Sequence, residues 1–323
     1  MCMRHEVRAA FAVASLSWRG GALGFLYPAG QKPVSHARRS GGGQLAIALP
    51  SSRNTSSKSP RLMSSAAAAA AATGDDRHWM PSKRNREPIV TELSTWLEEG
   101  SGCLLEIASG TGCHVEAYAK RLPGWSFQPT EHDEVRIPDI LATIEEGGYE
   151  NIRPPARLDV CSDPSTWPRP GAPAGGGVDK LWDAAMCINM IHIAPQECTK
   201  GLLAGTAAGL KIGGRLFIYG PFALDGLLVP DSNKSFDESL KARSEGLWGI
   251  RDAAWVAGLA DEEGLELTAM TAMPANNFFV VFTKVREAGD VSSSGDRASR
   301  VAERVSAVVV PARDALVETL AAQ

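Results

Sequence analysis

The chain has 323 residues, with 33 Lys and Arg against 37 Asp and Glu, six Cys and 44% hydrophobic residues. That is enough for a sizeable core in one large or two small domains, and it excludes a collagen-like repeat, a disulfide-dense miniprotein and a wholly disordered chain. The formal charge of −4 averages unlike parts: residues 1–80 hold ten basic and three acidic residues, a net +7 that leaves −11 for the remainder. An acidic body repels polyanions, so nonspecific nucleic-acid binding is not expected. No apolar run reaches the length of a membrane span, since the stretch Ala9 to Leu16 stops at Ser17 and Arg19. The cysteines form no CxxC pair and no zinc-ligand spacing, which suits reduced thiols inside a cell or organelle.

Residues 1–80 are rich in Arg, Ser, Gly and Ala, include an alanine tract from Ala66 to Ala72, and lack the periodicity that buries a face. Three readings stand: an organellar (plastid or mitochondrial) transit peptide, a plain extension of a cytoplasmic protein, or an untranslated stretch if Met63 or Met80 is the start. From Pro81 a β-α alternation begins. A helix is predicted over Glu87 to Leu97, a strand over Cys103 to Ile107, a helix over Cys113 to Leu122, a strand over Trp125 to Thr130, and a helix over Ile137 to Glu146. A short third strand, Arg157 to Val160, precedes a Pro/Gly-rich loop from Pro164 to Gly177. Leu181 to Ile188 reads as a buried strand, Gln196 to Leu210 as a helix, and Arg215 to Tyr219 as the next strand after Gly213-Gly214. Asp252 to Glu263 is a helix, followed by strands Leu265 to Met270 and Phe278 to Phe282 with no helix between them, as an antiparallel pair requires. Gly289 to Gly295 reads as a linker, and Ala298 to Leu320 as an amphipathic helix interrupted by Pro311. The predicted fold is α/β, a doubly wound, mostly parallel seven-stranded sheet with a final antiparallel strand, over residues 81–284.

The strand ending in Glu106-Ile107 turns through Ala108-Ser109-Gly110-Thr111-Gly112 into a helix. Such a turn lets a ligand approach the backbone and the helix N-terminus at the carboxyl edge of the sheet. Ala108 occupies the first glycine place of GxGxxG, and no GK[ST] follows, so a Walker-type phosphate loop is excluded. Glu131 closes the second strand about 20 residues on, where a carboxylate can accept from both ribose hydroxyls. Asp159 closes the third strand, and Glu106 could answer an ammonium group. These features suit S-adenosylmethionine (SAM) better than NAD, because SAM has no pyrophosphate and needs fewer glycines.

The strings Arg84-Asn85-Arg86-Glu87-Pro88-Ile89, Leu105-Glu106-Ile107-Ala108-Ser109-Gly110-Thr111-Gly112-Cys113-His114, Cys187-Ile188-Asn189-Met190-Ile191-His192, Tyr219-Gly220-Pro221-Phe222 and Met273-Pro274-Ala275-Asn276-Asn277 resemble the DUF938 family, also called UPF0585 or methyltransferase-like protein 26. The likeness covers about Arg84 to Lys284. Cys113 departs from the family's usual Gln, and Thr130-Glu131 from its Ser-Asp. The resemblance implies a class I SAM-dependent methyltransferase-like fold of the Rossmann type, with an unidentified, small-molecule methyl acceptor.

The expected cofactor set is Glu106, Ala108, Ser109, Gly110, Gly112, Glu131, Asp159, Val160 and Asn189. Asn189 and His192 follow the strand expected to end at the cofactor methyl, and His192 is a candidate general base, or else a packed helix-opening histidine. Asn189 is not followed by Pro-Pro-Tyr/Phe, which argues against methylation of amino groups on adenine, cytosine or glutamine. Tyr219 either lines the acceptor pocket or is a core tyrosine. Residues Asp225 to Ile250 read as an insertion able to form a lid. Arg243 and Arg251 are candidates for an anionic acceptor, or partners of Asp237 and Asp252, and Asn85 and Arg86 could cover the bound ligands. A scaffold protein that binds SAM without transfer, and an NAD(P)-dependent oxidoreductase on a similar sheet, are the rival readings.

Overall fold

The computed structural model describes residues 78–97, 100–171, 180–290 and 297–321. The basic leader up to residue 77, with its transit-peptide reading, and parts of the two predicted linkers lie outside the described residues.

Helix α1 spans Met80–Leu97 and is followed by β1 (Gly102–Ile107), α2 (Cys113–Arg121), β2 (Trp125–Glu131), α3 (Ile137–Gly147) and β3 (Ala156–Arg157). Then come β4 (Trp182–Ile188), α4 (Gln196–Gly209), β5 (Leu210–Gly220), β6 (Phe222–Ala223), α5 (Asp231–Arg243) and β7 (Arg251–Asp252). Helix α6 (Ala253–Glu262), β8 (Leu265–Met273), β9 (Asn277–Lys284) and α7 (Arg297–Ala321) complete the chain. Seven strands form one sheet in the order β3-β2-β1-β4-β5-β9-β8, in which β9 is antiparallel to both β5 and β8 and the other pairs are parallel. This is the doubly wound class I methyltransferase arrangement expected from the alternation. The order reverses beside β1, so the carboxyl ends of β1 and β4 flank the crevice where ligands of open α/β sheets bind.

Strand periodicity explains the two cores. Leu104, Met186 and Phe217 face α1 and α2, while their neighbours Leu105, Cys187 and Leu216 face α4 and α6. With both faces covered, the strands are almost continuously apolar, as the sequence of β4 is.

Several boundaries differ from the sequence reading. Helix α1 begins seven residues earlier than Glu87 and keeps Pro88 in its interior, because tertiary contacts of Asn85 and Arg86 hold its polar first half. His78 and Trp79, assigned to the leader, also belong to the fold: His78 Nδ1 shares a 2.8 Å hydrogen bond with Thr111 Oγ1, and the Arg136 guanidinium lies 4.6 Å from the Trp79 ring centroid. Strand β3 is only two residues long, so Asp159 and Val160 lie beyond it in a turn. Strand β5 starts at Leu210 and runs through Gly213-Gly214 instead of turning there. The segment Asp225 to Ile250 contains α5, and its end returns to pair β7 with β6. Pro311 does not interrupt α7, whose face of Val305, Val309, Ala312 and Leu316 is buried in the core. The helix packs on β8 and α6, with Arg304 Nη2 at 2.8 Å from Glu266 and Arg297 Nε at 3.2 Å from Asp261. Among the described residues, no helix is long and apolar enough to cross a membrane.

Candidate functional site

The turn after β1 is built from residues in the left-handed region. Gly110 has φ 62° and Gly112 φ 80°, and Ala108, in the place where a glycine would be free, also adopts φ 59°. A left-handed alanine costs on the order of 1 kcal/mol, so the local fold holds strain at this edge of the sheet. The turn is locked to β2. Ser109 N–H donates to Thr130 O at 2.9 Å, Thr130 N–H to Ser109 Oγ at 3.1 Å, and Thr130 Oγ1–H to Glu106 O at 2.7 Å. Gly110 faces open space, since nothing lies within 4 Å of where its Cβ would be. Gly112 opens α2 without a side-chain cap, leaving first-turn amides toward the edge.

Two carboxylates flank this turn. Glu131 Oε2 accepts from Gly110 N–H at 2.8 Å, and its Oε1 accepts from His132 N–H at 2.8 Å and Asp133 N–H at 3.1 Å. Glu106 is 2% exposed and its Oε2 has no hydrogen-bond partner. Burial raises its carboxyl from 4.5 to about 8, opposed by Ser109 and reinforced by the charge of Glu131. Tyr118 lies beside it, fully buried, with a hydroxyl that finds no partner of hydrogen-bonding geometry. Asp159 is exposed in the turn beyond β3, 4.0 Å from His132 Nδ1, so it faces the same edge as Glu131. Val160 packs its side chain into the core, and its carbonyl presses on α4 at Gly201.

Strand β4 delivers Asn189, which has φ 55° and donates N–H to Tyr219 O at 2.8 Å. His192 follows, 4% exposed, with Nδ1 unpartnered and its ring 5.8 Å from Phe236 in an edge contact. Desolvation, helped by the charge of Arg251, lowers it to about 3, so the imidazole is neutral. Gly220 keeps this corner narrow, because a Cβ there would come within 3.3 Å of His192 Nδ1. Tyr219 is buried and its hydroxyl is raised to about 12 by desolvation, opposed by nearby Asn85 and Asn277. It therefore stays protonated at neutral pH.

Asn85 also meets α2, where His114 Nε2 lies 2.9 Å from Asn85 Oδ1. Arg86 lies beside Cys113, and its charge opposes the burial that pushes this thiol up to about 11. The first half of α1 therefore lies across the start of α2. The two other arginines are placed differently. Arg251 is buried and spends its guanidinium on main-chain carbonyls, Nε on Ile191 and Nη2 on Ala194 and Leu247 at 3.1, 2.6 and 3.2 Å. These bonds fix the segment that carries His192. Arg243 is exposed at the end of α5 and donates Nε–H to Ser239 O of its own helix at 3.2 Å. Asp237 pairs instead with Lys241 at 2.6 Å and accepts Ile250 N–H at 2.8 Å.

Thr130, Tyr118, His78 and Phe236 also belong to this constellation, and each joins it through a partner far away in the chain. A cavity of about 590 Å³ lies at the opposite, amino edge of the sheet, lined by Trp96, Trp125, Asp183, Lys211 and Arg215 among others. It shares no residue with the carboxyl-edge cluster. The left-handed Ala108 and Asn189, the open glycine turn and the unpartnered atoms of Glu106, Tyr118 and His192 lie together at the carboxyl edge.

Comparison with known proteins agrees with this architecture. An O-methyltransferase family protein from Burkholderia thailandensis is similar at 16% identity with a TM-score of 0.52, over 64% of this chain and 57% of its own. The apo form of the S-adenosylmethionine-dependent methyltransferase SibL is similar at 17% identity with a TM-score of 0.51, over 64% of this chain and 56% of its own. The chain thus spans little more than half the length of these solved structures, and the likeness is one of fold. The profile of the family described as "Protein of unknown function (DUF938)" matches residues 77–284, from the His78 segment through β9. With well over half of its length matched, this chain belongs to the DUF938 family.

Proposed function

We propose that this protein binds SAM at the carboxyl edge around Ala108 to Gly112 and transfers its methyl group to a small-molecule acceptor. The observation that carries the reading is Glu106, a buried carboxyl with an unpartnered oxygen beneath a strained, open glycine turn. A buried polar atom left without a partner costs on the order of 1–3 kcal/mol, a cost that an ammonium group arriving at the turn removes. The residues present fit the cofactor: Glu106 would hold its ammonium, the Gly110 to Gly112 main chain would admit its close approach, and Glu131 would take the ribose hydroxyls. Bound SAM supplies an electrophilic methyl group on a sulfonium.

The chain's own work is alignment and exclusion of water. Asn189, set in a left-handed conformation at the end of β4, positions polar groups at the mouth. His192, neutral and unpartnered at Nδ1, accepts a hydrogen bond from the acceptor's nucleophilic group, and its depressed basicity makes it an orienting acceptor more than a carrier of full positive charge. Tyr219, kept protonated, presents a hydroxyl beside Asn85 and Asn277. Calorimetric titration with SAM and S-adenosylhomocysteine tests the reading, with binding expected in the wild type and at least tenfold weaker in Glu131→Ala. No binding at millimolar ligand would overturn both the cofactor site and the activity. Binding with no transfer of labelled methyl to any cell metabolite leaves a SAM-binding scaffold, and a thermal shift with NAD(P) alone indicates the oxidoreductase.

A further inference from the structure

The turn beyond β3 and the start of α4 bring two thiols together that the proposed methyl transfer does not use. Cys161 Sγ lies 3.6 Å from Cys198 Sγ, both free, with Cys161 exposed and Cys198 half-buried in the first turn of α4. Two backbone features make the approach tight. Cys161 N–H donates to Asp159 Oδ1 at 2.9 Å, and Ser162 N–H to Asp159 O at 2.9 Å, so the turn is a closed unit. Gly201, one turn along α4 from Cys198, carries no side chain where the Val160 carbonyl rests, and its Cβ would come within 3.4 Å of Cys161 Cα. The loop backbone therefore lies directly against the first turns of α4, beside Cys198. The sulfurs have only to close from 3.6 Å to about 2.05 Å.

We propose that Cys161 and Cys198 are a reversible oxidation site that forms an intramolecular disulfide when the protein meets a peroxide. The exposed Cys161 attacks one peroxide oxygen as thiolate, the O–O bond breaks, and hydroxide leaves to become water, giving a sulfenic acid on Cys161. The Cys198 sulfur then attacks that sulfur, the S–O bond breaks, and the S–S bond forms as the Cys198 proton departs with hydroxide as a second water. In total two thiols are oxidised, one peroxide is reduced, and two waters leave. Burial, then its contact with Cys161, pushes the Cys198 thiol up to about 12, so the exposed Cys161 is the sulfur that meets peroxide first, and Cys198 gives up its proton as it attacks the sulfenic sulfur. The link would tie the turn that carries Asp159 to α4. An effect on cofactor affinity follows only if the SAM reading also holds, whereas the disulfide itself does not depend on it.

The test is peptide mapping without reductant of the full chain, at high dilution, after treatment with a small excess of hydrogen peroxide. The expected product is one cross-linked pair of peptides bearing Cys161 and Cys198, lighter than the two thiol peptides by about 2 Da for the two hydrogens lost and separated again by dithiothreitol. Buried Cys113 and Cys187 should remain thiols. In Cys198→Ser the same treatment should leave a Cys161 sulfenic acid that dimedone captures. Recovery of Cys198 as a free thiol with Cys161 unmodified or over-oxidised, or a link to any other cysteine or between chains, would overturn the proposal. Because no cofactor enters this assay, its failure is distinct from failure of SAM to bind.

Discussion

Replacing Glu106 with Gln probes the buried carboxyl on which the functional reading depends. Its carboxyl is raised from 4.5 to about 8, and this difference of about 3.5, at ~1.36 kcal/mol per pH unit, amounts to ~5 kcal/mol against the charged form. At pH 7 roughly one carboxyl in ten is ionised without ligand. An ammonium group bound against it reverses that balance, so S-adenosylhomocysteine binding at pH 7 should release close to one proton, about 0.9. Isothermal calorimetry in phosphate and in Tris reads this number from the dependence of the binding enthalpy on buffer ionisation. Glu106→Gln should release none and bind at least tenfold more weakly, because it cannot supply a charge. Stability gives an independent check. A raised carboxyl binds its proton in the folded state while the unfolded chain has lost it, so the wild type should lose ~1.4 kcal/mol per pH unit relative to Glu106→Gln as pH rises from 4.5 to 8. Proton release near zero in the wild type, or the same release in both proteins, would refute the assignment of Glu106 to an ammonium.

Buried His114 and His192 act in the opposite direction. Both are lowered to about 3 by desolvation, so the unfolded chain takes up protons first and stability should fall as pH drops below about 6.5, by ~2.7 kcal/mol per unit for the pair. Urea unfolding at pH 6.5 and 5 measures it, and an unchanged slope in the double Gln variant would contradict it. Arg251→Met strips three main-chain carbonyls of their donor and should cost ~2–4 kcal/mol, read by the same titrations; a cost below ~1 kcal/mol would return Arg251 to a binding role. Gly201→Ala would drive a Cβ into the Val160 carbonyl and should destabilise by at least ~2 kcal/mol, with a thermal midpoint several degrees lower. A neutral result there would mean that the Asp159 turn does not rest on α4 as described.

Local chemistry made much of the architecture legible. The apolar runs of β1, β4 and β5 and the helix stop at Pro123-Gly124 follow from short-range preferences, and the turn Ala108 to Gly112 with Glu131 after the next strand was visible as a spacing. Errors gathered where tertiary contacts overrule local preference. Polar Met80 to Glu87 is helical because Asn85 and Arg86 meet α2, and Pro311 stays inside α7 because Val309 and Ala312 on either side of it are buried.

The site divides in the same way. Sequence order alone placed Glu106 and Glu131 at the carboxyl ends of neighbouring strands, because a parallel β-α alternation sends such ends to one edge of the sheet, whereas Asp159 falls beyond the short β3 in a turn. It could not say whether a charged group is free or spent: Arg243, Arg251 and Glu106 look alike as polar letters, yet one lies in solvent, one holds three carbonyls and one is left with an unpartnered oxygen. The Cys161–Cys198 contact was equally invisible. It arises from the way α4 lies on the turn beyond β3, and only long-range packing fixes desolvation, partner geometry and the distance between residues so far apart in the chain.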